Sequence, residues 1–183
     1  MDTEAGDGIR RAGHQPGEQV KDDQGEIMTN AEDWVNRLAA VPDRLARAVA
    51  GQSEAALSQV SASSGWSARY IFAHIRASDD IVAYRYYGML VRDNPPLPAY
   101  DEHRWADLAG YVDADFQASL QAFALRRAEL VGVLRRMGAD DWQRVGTHET
   151  RGEVSMLNEL IYQVEHEEEH CGEVEMLYLE TGA

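Results

Sequence analysis

Residues 154–178 read VSMLNELIYQVEHEEEHCGEVEMLY, and this stretch decides the fold. Its apolar side chains recur every three or four residues, the spacing that places them on one face of a helix. His166 and His170 stand one helical turn apart on the shoulder of that apolar stripe, so both rings can point into a bundle of helices. The stretch therefore predicts an amphipathic last helix that carries two inward-facing histidines.

The N-terminal region is expected to divide into a tail and a first helix. Residues 1–27 are rich in Gly, Asp, Glu and Gln and nearly free of apolar side chains, which predicts a disordered acidic tail ahead of a bundle over residues 28–183. Thr29 and Glu32 have the spacing of a capping box, so the first helix is expected to begin at Thr29. Pro42 is expected to break or kink it. Whether translation begins at Met1 or Met28 stays open.

Two further helices are predicted between these ends. Ser67 is the expected N-cap of the second helix, which should run to about Arg92, and Asp113 is the expected cap of the third, which Gly138 should stop. The prolines of residues 93–98 predict that the long crossover between them consists of loop or short turns. No strand-like alternation is visible, so the sequence predicts an all-α four-helix bundle.

The composition limits the classes of function. The 183-residue chain has 17 basic and 32 acidic residues, and its net charge of −15 repels nucleic acid and anionic membranes. An acidic N-terminus and the lack of a long apolar run favour a cytoplasmic protein. Cys171 is the only cysteine, which excludes an intrachain disulfide and a cysteine-based zinc site. Because Cys171 points about 100° away from His170 along the helix, it is expected to be a buried, inert thiol.

A third histidine completes a candidate metal site. His74 lies among apolar positions of the second helix and is expected to face inward, towards His166 and His170. Three neutral imidazoles from two helices would leave coordination positions open, as catalytic metal sites do. The alternative is that each ring is simply hydrogen-bonded in the core. Because an imidazole must be neutral to bind a metal and takes up a proton near its ordinary pKa of about 6.5, metal release is predicted as the pH drops from about 7 to 5. The neighbouring glutamates are expected to raise the pKa of the metal-free rings and to attract the cation, which steepens this dependence.

Other polar residues around this site receive simpler interpretations. Glu159, Gln163 and Glu173 lie nearest the histidine face and are the candidates for fixing the imidazole tautomers. His103 and His148 fall in predicted loops and are expected to be exposed, with a place at the rim of a pocket as the less favoured alternative. Most of the glutamates on the last helix are expected to face solvent, and the tyrosines at 84, 86 and 87 are expected to pack against neighbouring helices.

The segment from His166 to His170 also matches the H-E-x-x-H pattern of zinc peptidases, in which Glu167 would be the general base. In the extended form of that pattern, Glu173 and Met176 stand where a glycine and a third histidine are needed. The match is therefore attributed to a glutamate-rich helix. A di-iron bundle would need the Glu-x-x-His motif twice, and the chain has it once, at Glu167 and His170.

From about residue 31 to residue 180, the chain resembles the DinB/YfiT-like superfamily of four-helix metal-binding proteins. The resemblance rests on these residues: Trp66-Ser67, His74, Pro98-x-Tyr100-Asp101, Trp105, Gly152 and His166-x-x-x-His170. It implies a metal held by His74, His166 and His170, commonly zinc or nickel, and also manganese or iron. It also implies kinship with S-transferases and isomerases that use bacillithiol, mycothiol or glutathione.

Two functions compete at this stage. One is a metal-dependent enzyme that transfers a small thiol cofactor to an electrophilic substrate, or a hydrolase, with arginines holding an anionic cofactor. Lys21 is the only lysine beside many arginines, a bias that favours mycothiol or bacillithiol as the thiol. The other is a non-catalytic bundle that binds a metal or ligand. Either form could be a homodimer that pairs through an apolar helix face.

Overall fold

The computed structural model describes residues 16–62 and 64–179, with side chains from residue 25 onward. Seven helices and three short strands occupy these ranges. In chain order they are α1 (Pro16–Ala48), α2 (Glu54–Ser58), α3 (Ala68–Val91), β1 (Pro96–Leu97), α4 (Glu102–Leu108), α5 (Phe116–Leu134), α6 (Ala139–Trp142), β2 (Val145–His148), β3 (Gly152–Ser155) and α7 (Met156–Leu179). Across the described ranges, each helix lacks the continuous apolar length that a membrane span requires.

The four long helices form the predicted bundle. Helix α1 packs against α5 and α7, and α3 packs against the same two helices. Two large apolar clusters fill most of the interior, and a small third one lies between α3 and α4. The first contains Leu38, Tyr86, Leu134 and Val164, and the second contains Leu45, Ile75, Phe123 and Cys171. The predicted all-α four-helix bundle is thereby confirmed.

A buried polar layer separates the two apolar clusters. It consists of Ser78 and Asp79 on α3, Arg127 on α5, and Gln163 and Glu167 on α7. On α3 and α5 the layer lies between the residues of one cluster and those of the other. On α7 Glu167 has the same intermediate place, and Gln163 lies one turn earlier. Since buried polar groups are costly unless they are hydrogen-bonded, the layer needs specific partners across the bundle.

The start of α1 differs from the prediction. The helix begins at Pro16, and proline is favoured at a first helical position because its missing N–H would be unpaired there. Thr29 does not cap the helix, since its hydroxyl donates to the carbonyl of Gly25 one turn earlier at 3.0 Å. The predicted tail is therefore helical from Pro16 onward, and residues 1–15 lie outside the described ranges. Pro42 lies inside α1, which continues to Ala48.

The other helix boundaries agree more closely with the sequence. Ser67 caps α3, accepting from the backbone N–H of Tyr70, as predicted. Helix α5 is capped by Asp115 instead of the predicted Asp113. It ends at Leu134, before Gly138, which is the N-cap of α6 and not the predicted stop of α5.

The crossover and the approach to α7 contain a small sheet that the sequence analysis did not predict. Strand β1 pairs in parallel with β2, and β2 pairs antiparallel with β3. Strands of two and four residues are too short to show an alternating pattern. Gly146 allows the close approach of β1, because a Cβ there would lie 2.8 Å from Cγ of Leu97. The sheet ties the start of the crossover to β3, which leads into α7, and α4 packs against α3.

Candidate metal centre

The structure brings the three predicted histidines together. Nε2 of His166 lies 3.0 Å from Nε2 of His74 and 3.2 Å from Nε2 of His170. One ligand atom from each of the three rings lies within 4.8 Å of the others. Two nitrogens bonded to one zinc at ~2.0–2.1 Å lie about 3 Å apart, so the observed spacing suits a shared metal ion. We call His74, His166 and His170 the triad.

The triad lies where α3 and α7 face each other beside the polar layer. His74 is 4% exposed and His170 is 9% exposed. Trp66, just before the cap of α3, covers the site with its indole nearly parallel to the His170 ring, 5.8 Å between centroids. Tyr162, one turn before His166, lies parallel to that ring with the centroids 6.4 Å apart. The site is therefore enclosed by aromatic rings on both sides.

The protonation of the triad differs from the expectation. Burial, together with the charges of the other histidines, lowers the pKa of His74 to about 3. Burial and His170 likewise lower the pKa of His166 to about 4, although Glu102, Glu169 and Glu173 act in the opposite direction. The expected rise from the neighbouring glutamates is therefore wrong. Both rings are neutral at pH 7, the state that binds a metal.

One of the three candidates for fixing a tautomer contacts the triad. Nδ1 of His170 donates to Oε2 of Glu173 at 2.6 Å, and because a carboxylate only accepts, the lone pair of His170 is left on Nε2. Nδ1 of His74 and Nδ1 of His166 are buried and have no hydrogen-bond partner among the described residues.

The other two candidates are directed elsewhere. Glu159 accepts from Arg85 at 2.8 Å and from Arg151 at 2.5 Å, so both of its oxygens are used. Gln163 donates to Glu167 at 2.7 Å. The expected contact of Glu159 and Gln163 with the histidine rings is therefore absent among the described hydrogen bonds. Glu159 is instead paired with two arginines, and Gln163 is bonded to Glu167 within the polar layer.

Glu167 is the clearest exception to the expected solvent-facing glutamates. Its side chain is completely buried, and Arg127 donates to its two oxygens at 2.7 Å each. Arg127 also donates to Asp79 at 2.9 Å. Burial lowers the pKa of Arg127, but the two carboxylates together outweigh burial and raise this pKa above its usual value. A general base in a peptidase must face the substrate, whereas Glu167 is held in the core, so the geometry does not support a peptidase.

The single thiol and the tyrosines have structural roles. Cys171 is fully buried, and burial raises its pKa to about 12, in line with the expected inert thiol. Tyr86 is buried in the first apolar cluster, as predicted. Tyr84 and Tyr87 are 58% and 43% exposed, so the expected packing is wrong for these two.

The two loop histidines have different surroundings. His103 is exposed, as predicted, but lies on α4 beside the triad, its ring 5.4 Å from that of His74 and stacked on Tyr70. His148 is only 6% exposed, so its predicted exposure is wrong. Strand β2 carries it inward, and its Nδ1 accepts from the backbone N–H of Thr150 at 3.2 Å.

An open cavity of about 420 Å³ adjoins the triad at His166. It is bounded by α3, α7, the crossover and the β2–β3 turn. Its lining residues include Ser78, Arg85, Tyr100, Glu102, His148, Thr150, Arg151, Tyr162 and Gln163. Sequence analysis did not identify Arg85, Arg151 or Tyr162 as cavity residues. Of these, Arg85 could have been noticed, because it is a charged residue among the buried positions of α3. Its size is that of a small-molecule site.

A comparison with protein families identifies the chain. A model of the DinB superfamily matches residues 37–174, a range that contains the whole triad. The chain belongs to the DinB superfamily. The resemblance noted in the sequence is thereby confirmed, and the DinB match covers all of α3 and α5 and part of α1 and α7.

Several bacterial proteins are similar to this DinB chain over most of its length. "Putative metal-dependent hydrolase YfiT" of Bacillus subtilis is 25% identical over 150 residues, 81% of this chain and 84% of that protein. "Putative metal-dependent hydrolase OB0782" of Oceanobacillus iheyensis is 23% identical over 145 residues, 79% of this chain and 84% of its own length.

The solved structure of Bacillus subtilis YfiT superposes with a TM-score of 0.76 at 24% identity, covering 83% of this chain and 87% of that one. Its title describes a probable metal-dependent hydrolase with an unusual four-helix bundle topology. This likeness establishes the shared fold.

Proposed function

We propose that this DinB chain is a metal-dependent enzyme whose divalent ion is held by Nε2 of His74, His166 and His170. The observation that carries the proposal is the convergence of these three nitrogens, at 3.0 and 3.2 Å, beside an open cavity. A bundle that only stored a metal would need no such cavity next to its ligands. The names of the relatives, which state metal dependence for those proteins, support the same reading.

The donor set fits such an ion. The low pKa values of His74 and His166 keep two of the rings neutral at pH 7, and the contact with Glu173 leaves Nε2 of His170 as an acceptor. Three imidazoles suit zinc, nickel or iron, and manganese is the less favoured alternative. When bound, the ion supplies Lewis acidity that lowers the pKa of a thiol or a water.

We further propose that the enzyme transfers a small thiol cofactor, such as mycothiol, bacillithiol or glutathione, to an electrophilic substrate. Cys171 is buried with a high pKa, so the chain has no thiol of its own suited to this role and would take one from solution. Hydrolysis is the second candidate, favoured by the names of the relatives. In either reaction Tyr162 and Trp66 would shield the triad and limit access to the cavity side.

The test separates these reactions. Native chain, purified without added metal, is first analysed for its metal content. The loaded chain is then assayed with each of the three thiols against a panel of electrophiles, and separately with ester and amide substrates in the absence of thiol. Turnover that needs both metal and thiol supports transfer, turnover without thiol supports hydrolysis, and metal binding without either supports the non-catalytic bundle.

Two expectations from the sequence remain part of the proposal. The cytoplasmic location is tested by fractionating cells that produce the protein. The homodimer is tested by light scattering of the purified chain, where a monomeric mass contradicts it.

A further inference from the structure

The cavity beside the triad is rich in hydrogen-bond donors. Arg85 donates to Glu159 and to the carbonyl of Pro98, and its buried Nε has no partner among the described residues. Arg151 lies over the ring of Tyr162, 4.5 Å from its centroid. Glu159 takes one of the five guanidinium donors of Arg151, whose side chain is 29% exposed.

His148 adds a donor of fixed orientation. Its Nδ1 accepts from the backbone N–H groups of Thr150, at 3.2 Å, and Arg151, at 3.4 Å, so the hydrogen of the neutral ring is on Nε2. Burial and the positive charges of Arg151 and Arg85 lower the pKa of His148, which keeps the ring neutral at pH 7. The ring therefore offers Nε2–H as its donor beside Arg151.

The charges of the cavity point to an anionic ligand. Arg85 and Arg151 outnumber Glu102 in the lining, and the buried Glu159 pairs with both arginines from behind the lining. A divalent ion held by three neutral imidazoles would add two positive charges, in a chain whose net charge is −15. An uncompensated charge of this size in a partly buried site favours a negatively charged partner.

We propose that the cavity binds a small ligand through a carboxylate, held between Arg151 and Nε2–H of His148, with the remainder of the ligand directed to the triad at His166. The planar guanidinium of Arg151 matches a carboxylate geometrically. Its position is stabilised by the ring of Tyr162, over which the guanidinium lies. A carboxylate suits the site better than a phosphate dianion, because Glu102 in the lining and Glu159 behind the two arginines already supply negative charge. This inference rests on the proposed metal-dependent function and names the substrate class for it.

The experiment compares two thiols of equal length, 3-mercaptopropionate and its neutral amide, by calorimetric titration of the zinc-loaded chain. We expect the acid to bind about tenfold more tightly than the amide, the usual contribution of a hydrogen bond to a charged group. In Arg151→Met the preference for the acid should fall to the smaller part that Nε2–H of His148 and the metal charge supply, while the affinity for the amide stays the same. Arg151→Lys should keep part of the preference. Arg47→Met, which removes an exposed arginine outside the cavity, should keep all of it.

Three outcomes would overturn the proposal, and they are distinguishable. Equal binding of acid and amide to a chain that holds zinc rules out the carboxylate subsite and leaves the metal site intact. A preference that is undiminished in Arg151→Met shows that Arg151 does not hold the carboxylate. Absence of bound zinc, measured by elemental analysis before the titration, contradicts the proposed function and this inference together.

Discussion

Arg127 and Glu167 are joined by two hydrogen bonds of 2.7 Å in the middle of the bundle, with side chains 2% and 0% exposed. The pair links α5 to α7 within the polar layer and places Glu167 one residue after a triad histidine. Gln163 and Asp79 bind the same pair from α7 and α3. The triad is therefore supported from behind by charged groups whose partners are fixed.

Removing the arginine should destabilise the fold strongly. Among the described residues, Arg127→Met leaves Glu167 buried without a cation and leaves Asp79 with only Arg126, at 3.5 Å, and we expect a loss of about 3–5 kcal/mol in the free energy of unfolding. Urea denaturation at pH 7 measures it. Arg37→Met is the matched control, because Arg37 pairs with Glu168 at the surface, where a salt bridge contributes about 0–1 kcal/mol. Similar losses in the two variants would contradict the structural role of the polar layer.

Metal binding should depend on His170 and not on the residue next to it. His170→Ala removes one of three nitrogens and should reduce the metal content from about one ion per chain to a small fraction. Elemental analysis of the purified variants measures this. Cys171→Ala, at a buried position that points away from the triad, should retain the metal. Equal metal content in wild type and His170→Ala would refute the triad.

The thiol of Cys171 should be nearly unreactive in the folded chain. Because burial raises its pKa from 9.0 to about 12, the thiolate fraction at pH 8 is lower by roughly a thousandfold, before any steric hindrance. Alkylation by iodoacetamide, followed by mass spectrometry, should be negligible in the native protein and complete in urea. Rapid alkylation without denaturant would show that the second apolar cluster opens readily.

The metal-free chain should lose stability below pH 6.5. The unfolded histidines titrate near 6.5, whereas in the folded chain the pKa is about 3 for His74 and about 4 for His166. Between these values the unfolded state binds more protons, so the free energy of unfolding falls as the pH falls, and above about 7 these rings contribute no slope. Thermal unfolding of chelator-treated protein from pH 7.5 to 4.5 measures it, and His74→Gln should flatten the profile.

Bound metal should raise the melting temperature at pH 7, because the metal binds the folded state only. The difference in melting temperature between metal-loaded and metal-free protein should shrink at lower pH, as protons compete for the imidazoles. The low pKa values move this competition to a lower pH than the sequence suggested. Identical melting temperatures with and without chelator at pH 7 would contradict the coupling of metal to folding.

The boundary of the dispensable N-terminal segment should lie just before Ile27. Gly25 and Glu26 are exposed, whereas Ile27 packs against the first apolar cluster. Deleting residues 1–26 should therefore leave the melting temperature unchanged. Deleting residues 1–29 also removes Ile27, whose side chain is partly buried. This deletion should lower the melting temperature by a few degrees, as a loss of about 1 kcal/mol in stability does. Equal melting temperatures for the two deletions would show that Ile27 contributes nothing.

The sequence by itself determined the bundle and the triad. Helical spacing identified α3, α5 and α7 because their apolar residues recur at 3.6-residue intervals that survive in any packing. It also placed His166 and His170 on one face, since a four-residue separation on a helix fixes their relative direction. His74 could be added to this pair because the apolar faces of α3 and α7 were both expected to point into the bundle, where they meet.

Tertiary structure alone decided the surroundings of the triad. Whether Glu167 faces solvent or the core depends on Arg127, which lies 40 positions away on α5. The residues around Glu167 in the sequence of α7 do not indicate that partner. The cavity depends equally on β2 and β3, strands too short for a periodic signal, which bring His148 and Arg151 up to α7. Local periodicity records which way a side chain points along its own helix, whereas charge pairing and pocket shape arise from contacts between segments far apart in the chain.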